Sequence, residues 1–274
     1  MHSELFSFGP LTIHAYGACM ALGFLLAWQA IVRLCKKTGQ PSDYLSSLLV
    51  WIMVWSIAGA RAAYVLEHWT AEFRDAPLAV FRIDRGGLMF YGGFIGAAVT
   101  LLVYARLLRK PFLEITDLLL AGLPLGHAFG RVGCFFHGCC HGARTDGPLG
   151  VCFPKGSPAW WEQTASGALP QTADAALPVL PTQLFEAALN AALFALLFAL
   201  YPKHRRNAGF VSAVYCCAYG TIRFGMEYLR GDQRMALFGL SIGQCISLGV
   251  FATGVALFLV RRRKPSETAT ASFI

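Results

Sequence analysis

Apolar residues along the chain neither alternate with period two nor trace a single helical stripe. They run in near-continuous blocks of about 20, the length an α-helix needs to cross roughly 30 Å of hydrocarbon. Short polar stretches bearing Gly, Pro or clustered charge separate the blocks. The pattern predicts seven membrane-spanning helices, over about 11–32, 44–67, 87–108, 115–136, 182–201, 208–230 and 238–260. The predicted fold class is therefore an all-α integral membrane protein, with residues 1–274 forming a single polytopic domain. No internal repeat and no soluble domain at either end interrupts that reading, which disfavours a transporter built from repeats.

Composition agrees. Of the residues, 56% are hydrophobic and 14% charged, and the mean hydropathy is +0.52, whereas a soluble domain carries about one quarter charged residues. An ordinary cytosolic domain is excluded. Disorder is excluded as well, because 21 Phe, 9 Tyr and 6 Trp supply ample apolar surface to offset chain entropy. A net charge of +8 would suit a nucleic-acid binder if the basic residues formed a face, but they gather between apolar blocks instead. The clusters are Arg33, Lys36 and Lys37; Arg106, Arg109 and Lys110; Lys203, Arg205 and Arg206; and Arg261 to Lys264. All four fall on one side of a seven-span chain, so the positive-inside rule predicts an outside N-terminus, a cytoplasmic C-terminus and no nucleic-acid partner. The first block lacks a preceding basic stretch and exceeds a signal's apolar core, so it reads as a retained helix. No lipobox-like cleavage site with a small residue before Cys opens the chain, which argues against lipid modification of the protein itself.

The outward segments carry the chemistry. The first, about 68–86, mixes Glu72, Arg74, Asp75, Arg82, Asp84 and Arg85, then enters Gly86-Gly87-Leu88-Met89-Phe90-Tyr91-Gly92-Gly93. Glycine pairs allow a tight turn beside a ligand, or simply close helix packing. The second, about 137–181, is the longest loop, and its Trp160-Trp161 pair predicts a lid or a short helix at headgroup level. Ionisable residues inside apolar spans need a partner or a wet cavity. They are His14, Arg61, His127, Arg131, Glu186, Arg223 and Glu227, with Arg230 at a helix end. Spacings of i, i+4 put Arg223 with Glu227, and His127 with Arg131, on common helical faces. Each alone reads equally well as an internal ion pair. Together, with three of them Arg, they point to a polar cavity that captures a phospholipid headgroup, since a guanidinium fork matches phosphate.

Those residues also carry a resemblance. The stretch Gly130-Arg131-Val132-Gly133-Cys134-Phe135-Phe136-His137-Gly138 resembles the Gly-Arg-x-Gly-Asn-Phe-x-Asn-Gly signature of bacterial prolipoprotein diacylglyceryl transferases. Further matching segments follow in order: His14 to Gly17, Gly59 to Arg61 with Tyr64 to Leu66, Gly86 to Gly93, and Pro181 to Glu186. Arg223 through Glu227 to Arg230, and Ser241 to Gln244, complete the set. The resemblance implies a multi-pass enzyme of the bacterial cytoplasmic (inner) membrane. Such an enzyme moves the diacylglyceryl group of phosphatidylglycerol, or a related phospholipid, to the thiol of a prolipoprotein lipobox Cys and releases glycerol phosphate. It implies no cofactor and no metal. Carried onto this chain, it makes Arg131 and Arg223 a phosphate clamp with Glu227 orienting Arg223, and lines the headgroup pocket with Tyr16 and His14. Gln183, Glu186, Arg61 and Gly130 would shape the binding site, and Arg230 would steer an anionic lipid at the entrance.

The chain departs from the family pattern at the reacting centre. Tyr91 stands where the family carries a His suited to proton transfer, and a Tyr of ordinary pKa, about 10, is a poor base at neutral pH. Cys134, His137 and Cys139 replace the signature's Asn, Asn and the Glu that follows it. These changes suggest a divergent, cysteine-containing branch with another thiol acceptor as an alternative. Cys134, His137, Cys139, Cys140, His141 and Cys152 fall close together, and three readings of them compete. One is a structural disulfide in an oxidising compartment, with Cys140 and Cys152 a feasible pair. The second is a catalytic thiol, Cys139 or Cys134, activated by Arg131 and His137. The third is a metal site, against which the spacing of ordinary zinc knuckles speaks. A membrane thiol or metal protein without transferase activity stays open on the same residues.

Overall fold

The computed structural model describes residues 4–8, 11–74, 76–82, 86–231, 236–237 and 239–262. Of the residues singled out above, Asp75, Asp84, Arg85, Arg263 and Lys264 lie outside these. Among the described residues a hairpin of β1 (Glu4–Phe8) and β2 (Leu11–His14) precedes α1 (Ala15–Thr38), followed by α2 (Asp43–Glu67), α3 (Phe90–Leu107) and α4 (Phe112–His137). The short α5 (Pro158–Ala165) sits in the long loop, and α6 (Thr182–His204) and α7 (Phe210–Glu227) come next. A two-residue hairpin of β3 (Ala236–Leu237) and β4 (Leu240–Ser241) leads into α8 (Ile242–Arg262). Five helices, α1, α2, α4, α6 and α8, are long and apolar enough to cross a membrane. The apolar part of α3, Tyr91–Leu107, is shorter, and α7 carries Arg223 and Glu227 within its 18 residues.

The predicted helices recur with two corrections at their starts. Residues 11–14, expected to open the first helix, form β2, and the last helix begins at Ile242 rather than near 238. Hydropathy cannot separate a paired apolar strand from a helical turn over so few residues. Backbone pairing with residues nearby in sequence decides both cases.

The chain divides into two compact units, Cys35–Ile115 and the remainder. In the Cys35–Ile115 unit, α2 and α3 lie side by side, and a Cβ on Gly92 would run into the Gly59 carbonyl. That approach is why the interface is written in glycine. In the other unit α6 packs on α7 and α7 on α8. A buried carboxylate locks the start of α7: Asp117 of α4 accepts hydrogen bonds from Gly209 N (2.7 Å), Ser212 N (2.7 Å) and Ser212 Oγ (2.5 Å). This is an N-terminal cap supplied from a neighbouring helix, satisfying donors that the first turn leaves unpaired.

The segment 138–181 has its own small core of Phe153, Ala159, Trp160, Leu169, Ala176 and Val179. Ser157 Oγ accepts from Trp160 N at 3.3 Å, and Pro158 fits the first turn of α5, where no N–H is needed. The two tryptophans part company here. Trp160 is buried and donates from Nε1 to Ala173 O at 2.9 Å, while Trp161 stays exposed. Trp160 thus belongs to the core of this segment and only Trp161 is presented at its surface.

Candidate functional site

A polar stripe runs down α6 within an otherwise apolar helix. Gln183, Glu186 and Asn190 are spaced i, i+3, i+7 on one face, and all three are buried. Glu186 Oε1 forms an ion pair with Arg131 Nη2 of α4 at 3.0 Å and lies 3.8 Å from His127 Nε2, one turn earlier on α4. Asn190 Nδ2 donates to Glu186 O at 2.8 Å. The i, i+4 spacing of His127 and Arg131 therefore serves one carboxylate from two successive turns.

A second pair stands at the end of α7. Arg223 Nη2 meets Glu227 Oε2 at 2.7 Å, and Ser241 Oγ donates to Glu227 Oε1 at 2.8 Å. Ser241 also caps α8: its Oγ accepts from Gln244 N at 3.1 Å, while Gln244 Oε1 accepts from Ser241 N at 3.0 Å. This reciprocal arrangement is a capping box, the physical content of the Ser241-to-Gln244 segment. Gly243 follows from it, because a Cβ there would come within 2.8 Å of Glu227 Oε1.

The two pairs share surroundings. Tyr219, one turn before Arg223, interacts electrostatically with Glu186, Arg131 and Arg223, and its ring lies 5.5 Å from that of His127. Among the described residues each guanidinium keeps a buried N–H without a hydrogen-bond partner, Arg131 Nε and Arg223 Nη1, and the carboxylate oxygens Glu186 Oε1 and Glu227 Oε2 are likewise buried without one. A buried donor left unpaired costs about 1–3 kcal/mol. Two cations paired with carboxylates, with N–H groups to spare, have the chemistry to receive an anion that accepts several hydrogen bonds.

The cysteines gather by a turn the sequence specifies. At the end of α4, Gly138 takes φ 80°, Gly138 N reaches Phe135 O at 3.2 Å, and Cys139 N reaches Cys134 O at 3.2 Å. This is a Schellman motif, for which Gly at the left-handed position is suited. It folds Cys139 and Cys140 back over Cys134, so that the three sulfurs lie within 4.8 Å of one another. Cys140 itself adopts φ 59°, a conformation that costs a non-glycine residue about 1–2 kcal/mol. The α6 start holds it: Thr182 Oγ1 donates to Cys140 O (3.0 Å) and Gln183 Nε2 to Cys139 O (2.8 Å). Hydrogen bonds from the Cys134 and Cys139 thiols hold the Cys140 thiol well below its usual range, with Arg131 and Arg230 adding to the effect. The Cys140–Cys152 bridge that one of the three readings allowed is not made in this structure. All four thiols are free and Cys152 is exposed, because the turn directs Cys140 toward Cys134.

The other sequence-predicted residues separate into groups. Tyr16, at the start of α1, is half-exposed and interacts electrostatically with Cys134, Cys139, Cys140 and Arg131, with its ring 6.1 Å from His137. His14 is exposed at the end of β2. Gly130 faces Met20 of α1, with room for no more than a tight Cβ. Arg230 pairs its backbone with Gly142 and interacts with Cys140. Tyr91 and Arg61 belong to the Cys35–Ile115 unit, and Tyr91 is exposed there. Arg61 corrects its expected role in substrate binding. Its guanidinium donates to Ala79 O and Val80 O (2.8 Å each), Arg82 O (2.9 Å), and Gly86 O and Gly87 O (3.0 Å each). Five N–H donors are all that an Arg has, so none remains for a phosphate. Sequence reasoning missed Tyr219, Asn190 and Thr182. The first two repeat the i, i+4 spacing, before Arg223 and after Glu186, which was the available signal.

Comparison with known proteins bears on the same residues. The family model for prolipoprotein diacylglyceryl transferase matches residues 3–260. The phosphatidylglycerol–prolipoprotein diacylglyceryl transferase of Pseudoalteromonas atlantica is 35% identical over 274 residues, covering 96% of this chain and 91% of the relative. That of Bordetella bronchiseptica is 35% identical over 267 residues, covering 94% and 95%. A Clostridium perfringens relative, named as the second such transferase, is 30% identical over 254 residues and 93% of each chain.

Proposed function

The chain belongs to the prolipoprotein diacylglyceryl transferase family, and from that membership we propose that it transfers the diacylglyceryl group of phosphatidylglycerol to a lipobox cysteine thiol, releasing glycerol phosphate. The observation that carries the reading is the pair of half-buried arginines, Arg131 and Arg223, each with a buried N–H that no described residue engages. In the reaction the acceptor sulfur attacks the glyceryl CH2 carbon and the C–O bond to phosphorus breaks. Negative charge then builds on the departing phosphate. Arg131 and Arg223 hold that phosphate, Glu186 and Glu227 fix their planes, and the interaction strengthens as charge develops. Tyr16 and His14 line the headgroup side, Gln183 shapes it, and Arg230 steers the anionic lipid inward.

The topology that suits this chemistry has seven spans, an outside N-terminus and a cytoplasmic C-terminus, in the bacterial cytoplasmic membrane. Arg131 near the end of α4, Glu186 near the start of α6, Glu227 at the end of α7 and Ser241 before α8 then share the outer side. The basic ends, Lys36 and Lys37 of α1, Arg106 of α3 and Lys203 of α6, share the other. Segment 138–181 acts as an outward lid over the site. A membrane thiol or metal protein without lipid transfer is the second reading. The thiol cluster favours it, but it leaves the arginine pair without a role.

Purified protein in phosphatidylglycerol vesicles, given a lipobox peptide, tests the proposal by mass spectrometry of the peptide. A diacylglyceryl adduct is expected. Arg131→Lys and Arg223→Lys keep the charge but lose the bidentate fork, and each is expected to slow transfer by about 100-fold or more. Folded variants with near-normal transfer would return both residues to a structural role.

A further inference from the structure

We propose that Cys134, Cys139 and Cys140 form a three-thiolate seat for Zn(II), and that its open fourth position takes the sulfur of the acceptor thiol. The inference rests on the transferase reading and supplies what that reading lacks in this chain, an agent that converts the acceptor thiol to thiolate.

Geometry supports the seat. Zn–S bonds of about 2.3 Å in a tetrahedron put sulfurs roughly 3.8 Å apart. The three sulfurs already lie within 4.8 Å of one another, so binding closes the cluster by no more than about 1 Å. The backbone is fixed beforehand by the Schellman turn and by the hydrogen bonds from Thr182 and Gln183 to the Cys140 and Cys139 carbonyls. The unfavourable φ of Cys140 is thus imposed by its neighbours, as at other preorganised sites. Thiolate ligands select zinc or copper over the hard cations.

Ligand number then decides the role. Among the described residues the group of possible donors contains these three sulfurs and no fourth. His141 is engaged elsewhere, with Nδ1 3.0 Å from Gly142 O and Nε2 3.3 Å from Glu162 Oε2. Four protein ligands close a structural zinc site, whereas three leave a position for substrate. All three cysteines are half-buried, which leaves that position approachable. Three thiolates on Zn(II) carry a net single negative charge. Arg131 and Arg230, both in electrostatic reach of Cys140, offset it.

A thiol that coordinates zinc is deprotonated at neutral pH. The step balances without oxidant or reductant. The acceptor S–H bond breaks on ligation, S–C forms to the glyceryl CH2, C–O breaks, and the proton ends on the released glycerol phosphate. The thiophile and the phosphate clamp stand close together: Cys134 follows Arg131 by three residues on α4, and Tyr16 interacts with both.

The test uses the full chain in detergent or nanodiscs, loaded with Zn(II) or Co(II) and measured by elemental analysis and visible absorption. One metal per chain is expected, with a tetrahedral thiolate Co(II) spectrum that changes when a lipobox peptide is added but not when its Cys→Ser counterpart is added. Cys134→Ser, Cys139→Ser and Cys140→Ser are expected to lose the metal, and Cys152→Ser to keep it. Chelation of the wild-type protein is expected to abolish transfer reversibly, a result independent of whether the serine variants fold. Transfer that persists at full rate in metal-free protein overturns the inference and leaves the transferase reading intact. Metal that responds to the peptide thiol, with no diacylglyceryl adduct formed, supports the site and overturns the transferase reading. An intact mass lower by two hydrogens, reporting a disulfide within the cluster, or binding of Cu(I) alone with no response to peptide, overturns the inference.

Discussion

Replacing Ser241 by Ala removes a hydroxyl that makes two separate connections. One is the cap: the Ser241 Oγ accepts from Gln244 N at 3.1 Å, and losing such a cap destabilises a helix by about 1 kcal/mol. The other is the 2.8 Å hydrogen bond it donates to Glu227 Oε1, whose carboxylate meets Arg223 at 2.7 Å. A hydrogen bond to a charged group contributes about 1.5–3 kcal/mol. If Glu227 keeps Arg223 in its phosphate-binding pose, that loss passes to the transition state as roughly a 10- to 150-fold fall in kcat/KM. Melting temperature in detergent should fall by only a few degrees. Ser241→Thr, which keeps the hydroxyl, should restore both. The decisive assay is a double-mutant cycle of Ser241→Ala with Glu227→Gln, reading peptide lipidation. Strong coupling is expected, because both changes loosen the same guanidinium. Additive losses would refute the relay from α8 to Arg223 and leave Ser241 as a cap alone.

Arg61→Lys replaces five donors by three and should lower the melting temperature and expose residues 76–82 to protease, with transfer falling only as fold is lost. Loss of transfer at unchanged stability would instead make Arg61 a substrate ligand. Asp117→Ala removes the acceptor of three hydrogen bonds at the start of α7 and should destabilise the protein by about 2–4 kcal/mol, read by thermal or denaturant unfolding in detergent. A cytoplasm-active reporter fused after Arg109, Arg206 or Lys264 should be active and one inserted within 145–175 silent, and the reverse pattern would overturn the seven-span orientation.

Helices were the most legible feature, because a bilayer demands length and uniform apolarity, and both are visible in composition alone. The exceptions are short. Leu11–His14 is apolar but pairs as a strand, a choice made by its neighbours and not by hydropathy. The ion pair of Arg223 with Glu227 followed from i, i+4 spacing, whereas that of Arg131 with Glu186 joins α4 to α6 and has no local signature. Arg61 illustrates the limit well. An arginine in an apolar helix looks the same in sequence whether it awaits a phosphate or holds five carbonyls. Cys140 and Cys152 looked like partners by separation, but the Gly138 turn bent the chain the other way.

The Arg61 guanidinium lies over the Tyr64 and Phe73 rings, but from residues 79–82 and 86–87 it takes only main-chain oxygens. Its grip is therefore indifferent to which side chains the clamped segment displays, and Leu78 and Phe81, at 80% and 81% exposure, contribute nothing to holding it. The segment's shape is written once, in α2, while the face it displays can be rewritten residue by residue. Gly86 and Gly87 are the exceptions, since their positive φ values, 82° and 75°, belong to that shape. A label or a cross-linker at positions 78 and 81 should leave these main-chain hydrogen bonds in place, which makes the stretch a convenient handle.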